Sequence, residues 1–266
     1  MRPYSLVNLF ETLFAVLCFL SCYDKKDAGF ILYPADSSSS ENAEVIERLS
    51  GKYNLYTAYS AEGKIQDTAR TLCSYVDGPV IIRGEFLMNE DFDICSWNKI
   101  AVINPPEDFP GYLFNTTYAF SRASGFADKT LDGNGYAIIL PDSGEMRNLA
   151  AKYFGKAAKC IFLKHEFRRY NSCQLEEALS LCRGYSLIIH YSGYSSGRIR
   201  DFCGENGIKS ASIFGKLALS NVNVFSAEED YSSAAEFICE NSLAKERITM
   251  PDFTVSIRCN STGNKF

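Results

Sequence analysis

The chain has 266 residues, 46% of them hydrophobic and 22% charged, a size and balance that build one large domain or two lobes and exclude a disordered chain. Its formal net charge of -5 argues against a nucleic-acid-binding surface, which needs clustered Lys and Arg. Ten cysteines accompany only two histidines, His165 and His190, and no cysteine pair has metal-ligand spacing, so no metal site is expected.

The N-terminus reads as an export signal. Arg2 supplies a short positive region, and Thr12 to Leu20 is an apolar stretch too short to span a bilayer. Phe19-Leu20-Ser21-Cys22 resembles the lipobox of bacterial lipoproteins, which implies that Cys22 is the acylated first residue of the mature chain and that Tyr23 to Asp27 is a polar tether. A simple secretory signal and an uncleaved anchor are the alternatives. With Cys18 and Cys22 in the leader, eight cysteines remain; Cys73, Cys182, Cys203 and Cys239 fall on apolar helical stripes, where a thiol behaves as a small buried hydrophobe. Mainly free thiols are therefore expected.

From Ala28 to Tyr33 the chain reads as a strand, followed by a loop through Asp36 and Ser37. Ser38 with Glu41 is a capping-box signal for a helix carrying Val45, Ile46 and Leu49 and closing at Gly51. A strand at Leu55 to Tyr59, a helix with Ile65, Ala69, Leu72, Cys73 and Val76 inward, and a strand at Pro79 to Ile82 ending in Arg83-Gly84-Glu85 complete a βαβαβ series. Lys99 to Asn104 is a fourth strand, and Pro105, Pro106 and Pro110 mark an irregular connection to a helix over Tyr118 to Lys129.

The βα rhythm then restarts. A strand at Tyr136 to Leu140 precedes Asp142-Ser143-Gly144, which opens a helix with Met146, Leu149, Ala150, Tyr153 and Ala157 on one face; Cys160 to Leu163 is the next strand. A helix through Leu175, Ala178, Leu179 and Cys182 stops at Gly184. Leu187 to Ile189, the loop Ser192 to Gly197, a helix with Ile199, Phe202 and Cys203 inward, and Ala211 to Phe214 form a strand–helix–strand unit, which implies a parallel pair with a right-handed crossover. A short strand near Asn221 to Phe225, a helix through Tyr231, Ala234, Ala235 and Ile238, and a strand from Phe253 to Arg258 close the chain. The fold class is α/β: two-lobed, doubly wound parallel sheets with a central cleft.

Several stretches, collinear from about Ala28 to Thr262, resemble the type I periplasmic binding proteins, meaning the ribose- and galactose-binding proteins and the effector-binding cores of lactose- and galactose-repressor regulators. They are Val76-Asp77-Gly78 before Pro79 to Ile82, Glu205-Asn206-Gly207-Ile208-Lys209 with Ser212-Ile213-Phe214-Gly215, and Ile248-Thr249-Met250-Pro251 with Thr254 to Thr262. With the leader read as a signal over 1–21 and a tether over 22–27, the resemblance implies an N-terminal lobe of 28–117 plus 217–246 and a C-terminal lobe of 118–216 plus 247–262, leaving a tail of 263–266. It also implies that Arg147 matches a ligand-binding arginine. Sugar binders of the family carry Asn-Asp where this chain has Ser192 and Gly193, and an aspartate after Gly-Phe where it has Lys216 or Leu217. An arginine kept while the sugar carboxylates are absent suits an acidic or amide-bearing ligand, because guanidinium grips carboxylate in a bidentate fork.

Ligands of such folds sit beyond the carboxyl ends of the strands. The candidate ligand-binding residues are accordingly Asp36, Ser37, Arg83, Glu85, Asp142, Ser143, Arg147, Ser192 and Tyr194, with Arg147 anchoring an anionic or amide group and Asp36 and Glu85 accepting from hydroxyls or amines. Catalysis has no residue set behind it. The charge run around His165 reads as a solvated loop, His190 as a core or strand-end histidine, and Asp142-Ser143-Gly144 lacks the Gly-x-Ser-x-Gly pattern of a nucleophile turn. Trp97 reads as core or rim. The expectation is a lipid-anchored, exported, non-enzymatic binder of a small polar molecule, without a cofactor and without nucleic acid, that serves a permease or sensor at the periplasm or cell surface. The rival is a lipoprotein that kept the fold as an interaction or structural module.

Overall fold

The chain opens its described part with β1 (Asp27–Leu32), whose Phe-Ile-Leu run is buried. The computed structural model describes residues 25–32, 39–61, 63–84, 87, 98–106, 109–130, 135–155, 158–166, 169–191, 193–215, 217–241 and 243–260. These fall into two compact units: one takes the chain up to Leu113 together with Tyr231–Ile248, the other takes Phe114–Asp230 and the chain from Thr249 onward.

In the first unit β1 is followed by α1 (Ser39–Lys52), β2 (Asn54–Tyr59), α2 (Ile65–Tyr75), β3 (Val80–Arg83), β4 (Ile100–Ile103) and β5 (Gly111–Leu113). The apolar stripe of α2, Ile65, Ala69 and Leu72, packs with Ile31, Val80, Ile82 and Val102 of the strands. Burying such a stripe is what holds a short helix that propensity alone would leave marginal. The later α7 (Tyr231–Glu240) returns to this unit, and Arg48 of α1 bonds Glu236 at 2.5 Å, with Lys52 as a second partner of that carboxylate. β13 (Arg247–Thr249) lies next to β5, giving the order β13-β5-β4-β3-β1-β2, with β1 to β5 parallel.

The second unit runs α3 (Thr116–Thr130), β6 (Tyr136–Pro141), α4 (Gly144–Phe154), β7 (Ala158–Leu163), a two-stranded ribbon of β8 (His165–Glu166) and β9 (Arg169–Tyr170), α5 (Ser172–Ser180), β10 (Leu187–Tyr191), α6 (Ser196–Glu205), β11 (Lys209–Ile213), β12 (Asn223–Glu229) and β14 (Val255–Cys259). The sheet order is β14-β12-β11-β10-β6-β7, parallel except for the antiparallel β12–β14 pair. Leu175, Ala178 and Leu179 of α5 and Ile199, Phe202 and Cys203 of α6 share one core with Ile139 and Ile188 of the strands. Ser143 caps α4 by accepting from the Met146 N–H at 3.2 Å, and Asn171 caps α5 through the Cys173 and Gln174 N–H groups.

The α/β class and the two parallel sheets stand as the sequence implies. The lobe composition differs at two places. Residues 217–246 were expected in the first lobe, but β12 belongs to the second sheet, between β14 and β11. Residues 247–262 were expected in the second lobe, but β13 borders the first sheet, where the Gly111 N–H donates to the Glu246 carbonyl at 3.2 Å. β5, the β8–β9 ribbon and β13 were not anticipated; each is three residues or shorter, below the length at which alternation is readable.

Candidate functional site

Each sheet reverses its strand order once: the first between β1 and β3, the second between β6 and β10. At such a switch point the loops leaving the two central strands diverge to opposite faces and open a crevice at the carboxyl edge, where ligands bind in doubly wound sheets. Asp36 and Ser37 follow β1, Arg83 ends β3 and Glu85 follows it, Asp142 and Ser143 follow β6, and Ser192 and Tyr194 follow β10. Of the described candidates, Arg83 ends β3, Asp142 and Ser143 directly follow β6, Tyr194 follows β10, and Arg147 lies one turn into the helix after β6.

Asp36, Ser37, Glu85 and Ser192 lie outside the described residues, as do Cys22, Trp97, Lys216 and the leader. Tyr194 belongs to the 3-10 turn Gly193–Ser195 that joins β10 to α6.

Asp142, Ser143 and Arg147 are brought together. The Asp142 N–H is fixed by the Leu163 carbonyl of neighbouring β7 at 2.9 Å, Ser143 is the N-cap, and Arg147 lies a helical turn further on. Arg147 donates from Nε at 2.9 Å and lies with Nη2 at 2.7 Å from the same Asp142 oxygen, Oδ1, while its guanidinium carbon lies 4.4 Å from the Phe162 ring centre. Both side chains are about half exposed, at 55% and 43%. The pair thus places a half-exposed guanidinium and a half-exposed carboxylate at the N-terminus of a helix, whose dipole favours an anion there.

Arg83 takes a different position. Its side chain is only 1% exposed; it meets Glu41 of α1 at 3.3 Å and lies over the Tyr231 ring at 4.1 Å. Glu41 itself is 26% exposed. Arg83 is thus a positioning residue for Glu41. Sequence reading marked Glu41 only as a capping residue and Tyr231 only as a helix residue; the contact between strand end and returning helix spans the chain and leaves no local signal.

An aromatic group at the carboxyl edge of the second sheet also went unread. The Tyr191 ring lies edge-on to Phe214 at 5.7 Å, Phe214 is 6.2 Å from Phe114, and His165 stands edge-on to Tyr170 at 5.2 Å and to Tyr191 at 6.5 Å. Edge-to-face pairs of this spacing are favourable through the ring quadrupoles. The Tyr170 hydroxyl reaches the Tyr191 and Ile139 carbonyls, and the Tyr170 N–H donates to Ser195 Oγ at 3.0 Å. Burial pushes the Tyr170 hydroxyl well above its ordinary pKa, so it stays a neutral donor that ties β9 to β6 and β10. The stretch around His165 thus contains a two-stranded ribbon held to the strand ends through Tyr170, with Lys164 and Arg169 exposed.

Two residues of the described chain other than glycine have left-handed backbone, Asn104 and Phe214, each at φ 52° and each immediately after a strand, β4 or β11. For a bulky residue such as phenylalanine this conformation is strained, and strain of this kind gathers at functional loops. It is held here by the Phe214 N–H to Ala227 carbonyl bond at 2.7 Å. Gly215 follows because a Cβ would stand 2.3 Å from Ser196 Oγ. His190, on β10, is fully buried, and desolvation lowers its pKa to about 3. It is a neutral core group, not a proton donor in a site.

Two α/β units with these switch points have the fold of the type I periplasmic binding proteins and of LacI-type effector-binding domains. No family model and no curated protein matches the chain. Among solved structures it is similar to a transcriptional activator of the comK gene from Bacillus halodurans, with TM-score 0.64, 12% identity, and 90% of this chain and 92% of that one covered. It is also similar to a periplasmic ribose ABC transporter protein from Conexibacter woesei (TM-score 0.61, 13% identity, 88% and 92% covered) and to the trehalose repressor of Escherichia coli (TM-score 0.54, 12% identity, 88% and 100% covered). The collinear resemblance read in the sequence thus holds at the level of the fold, with the sequences far diverged.

Proposed function

We propose that this protein is an exported, lipid-anchored solute-binding protein that takes a small polar molecule at the carboxyl-end loops of its two units. The observation that carries the reading is the order reversal in each sheet, with Arg83 ending β3 and Asp142, Ser143 and Arg147 gathered after β6 beside the two reversals. The binding and regulatory proteins with the same fold support a binding role rather than catalysis. Binding would draw on Arg147 for an anionic or amide group and on Asp142, Glu41, Asp36 and Glu85 as acceptors for hydroxyl or amine donors. Ligand contacts that are stronger in one conformation than in another shift the population toward it, and a permease or a sensor is the partner that reads that shift.

The experiment is calorimetry of the wild type and Arg147→Ala with small carboxylates, amino acids and amides. A ligand held by Arg147 loses about 2–5 kcal/mol of affinity in the variant, the usual cost of removing one partner of a desolvated charge pair. Because Arg147 is half exposed, the fold's melting changes little. Equal binding by both proteins removes the anchor role.

Export rests on the leader. Cys22→Ser is expected to release the protein from membranes or to leave a heavier precursor. Unchanged membrane retention with the leader attached would show an anchor in its place. The second reading, an interaction module, is favoured by one observation: the first sheet ends in an uncharged, tyrosine-bearing edge.

A further inference from the structure

The two six-stranded sheets have four edge strands: β13 and β2 in one, β14 and β7 in the other. An open edge is a row of unpaired backbone groups, and proteins that stay monomeric guard such edges with Lys, Arg or very short strands. β13 is short and carries Arg247, β14 carries Arg258, and β7 carries Lys159. β2 has six residues, Asn-Leu-Tyr-Thr-Ala-Tyr, without a charge. Its tyrosines project into solvent, Tyr56 at 41% and Tyr59 at 70% exposure.

The backbone of β2 has a defined open side. The Asn54 N–H donates to the Lys26 carbonyl at 3.0 Å and the Ser60 N–H to the Leu32 carbonyl at 2.9 Å. Backbone groups alternate sides along a strand, so the even-numbered residues face β1 and Leu55, Thr57 and Tyr59 turn their N–H and C=O groups to the open side. Among the described residues no strand lies there.

We infer that β2 is a pairing edge for a second copy of this chain, antiparallel about a two-fold axis through Thr57. An axis normal to the sheet keeps each face on its own side, so a residue can oppose only residues of its own parity. Centring the axis on Thr57 sets Thr57 against Thr57, Leu55 against Tyr59 and Tyr56 against Ala58. In this register all three outward residues of each copy exchange backbone hydrogen bonds. The side chains opposed are threonine with threonine and aromatic with apolar, the pairs that stabilise antiparallel ribbons, and no like charges meet. An uncharged strand offers a charged foreign peptide no counter-charge, whereas its own sequence complements it, and closed two-fold dimers are the commonest assembly of identical chains.

The test is sedimentation of the purified full chain at micromolar concentrations, wild type beside Thr57→Lys, with circular dichroism showing that the exposed substitution leaves the fold intact. The wild type is expected to sediment as a dimer. Thr57→Lys, which sets two ammonium groups face to face on the axis, should weaken association at least about tenfold, the equivalent of about 1.4 kcal/mol. Register is read by single cysteines. Opposed hydrogen-bonded residues have Cα atoms about 5.5 Å apart, inside the roughly 4.4–6.8 Å window for a disulfide. Thr57→Cys should therefore give an oxidised dimer linked through position 57, while Tyr56→Cys, opposed to Ala58, should not. A monomeric wild type, as expected if the edge receives a strand of another protein, or a dimer indifferent to Thr57→Lys, overturns the proposal.

Discussion

At the scale of single residues, Arg147 is held by the Asp142 carboxylate over the Phe162 ring, and Arg83 by the Glu41 carboxylate over the Tyr231 ring. Arg147 and Asp142 were both marked as binding candidates, yet their mutual ion pair depends on the loop after β6 being pinned to β7 by the Asp142 N–H. Arg83 was marked as a cleft-lining binding group, and its guanidinium lies between Glu41 and Tyr231. His190, read as a core or strand-end histidine, is buried on β10 and gives a testable case. Its pKa of about 3 in the fold, against about 6.5 when exposed, means that the folded chain binds fewer protons than the unfolded chain between those values. The histidine therefore has no effect on stability above about pH 6.5 and destabilises progressively as pH falls, by up to about 4 kcal/mol near pH 3. Urea unfolding from pH 7 down to pH 4 should show a steeper loss of stability in the wild type than in His190→Gln, whatever the offset between the two at pH 7. Parallel curves would place the charging of His190 outside the acid transition.

At the scale of elements, the long periodic segments were legible because a single physical signal dominates each. The α2 stripe of Ile65, Ala69 and Leu72 and the α6 stripe of Ile199, Phe202 and Cys203 are buried as their 3.6-residue spacing requires. Of the four cysteines expected on helical stripes, Cys182, Cys203 and Cys239 are buried free thiols, Cys182 in the turn just after α5, and Cys73 is half-buried. Desolvation pushes the Cys203 and Cys239 thiols up to about 12, which makes them poor nucleophiles at neutral pH. The strand after Leu187 pairs in parallel with Lys209–Ile213, as a strand–helix–strand unit must. What escaped were the elements that take their form from neighbours. β5 exists because β4 offers it an edge: the Asn104 N–H donates to the Tyr112 carbonyl at 2.8 Å. The β8–β9 ribbon exists because Tyr170 is buried against β6 and β10.

At the scale of the whole molecule, the chain order of βα units announced two parallel sheets, but the assignment of the last third did not follow from it. β12 continues the second sheet and α7 with β13 returns to the first, so the chain passes between units at 113/114, 230/231 and 248/249. No local pattern distinguishes a strand that extends one sheet from a strand that extends the other, since both are short, apolar and preceded by a loop. The switch points, by contrast, follow from strand order alone, and they carry the functional account. Its central claim is that the strand-end residues flanking them hold a small polar ligand that is not a neutral sugar. The measurement that bears on it most directly is thermal melting of the full chain against a panel of small carboxylates, amino acids, amides and sugars. A bound ligand stabilises by RT ln(1 + [L]/Kd), about 2.7 kcal/mol at a hundredfold excess over Kd. The account predicts a dose-dependent rise in Tm with at least one carboxylate- or amide-bearing compound and none with ribose, glucose or galactose. No rise with any compound at millimolar concentration, or a saturable rise with one of those sugars, would contradict it.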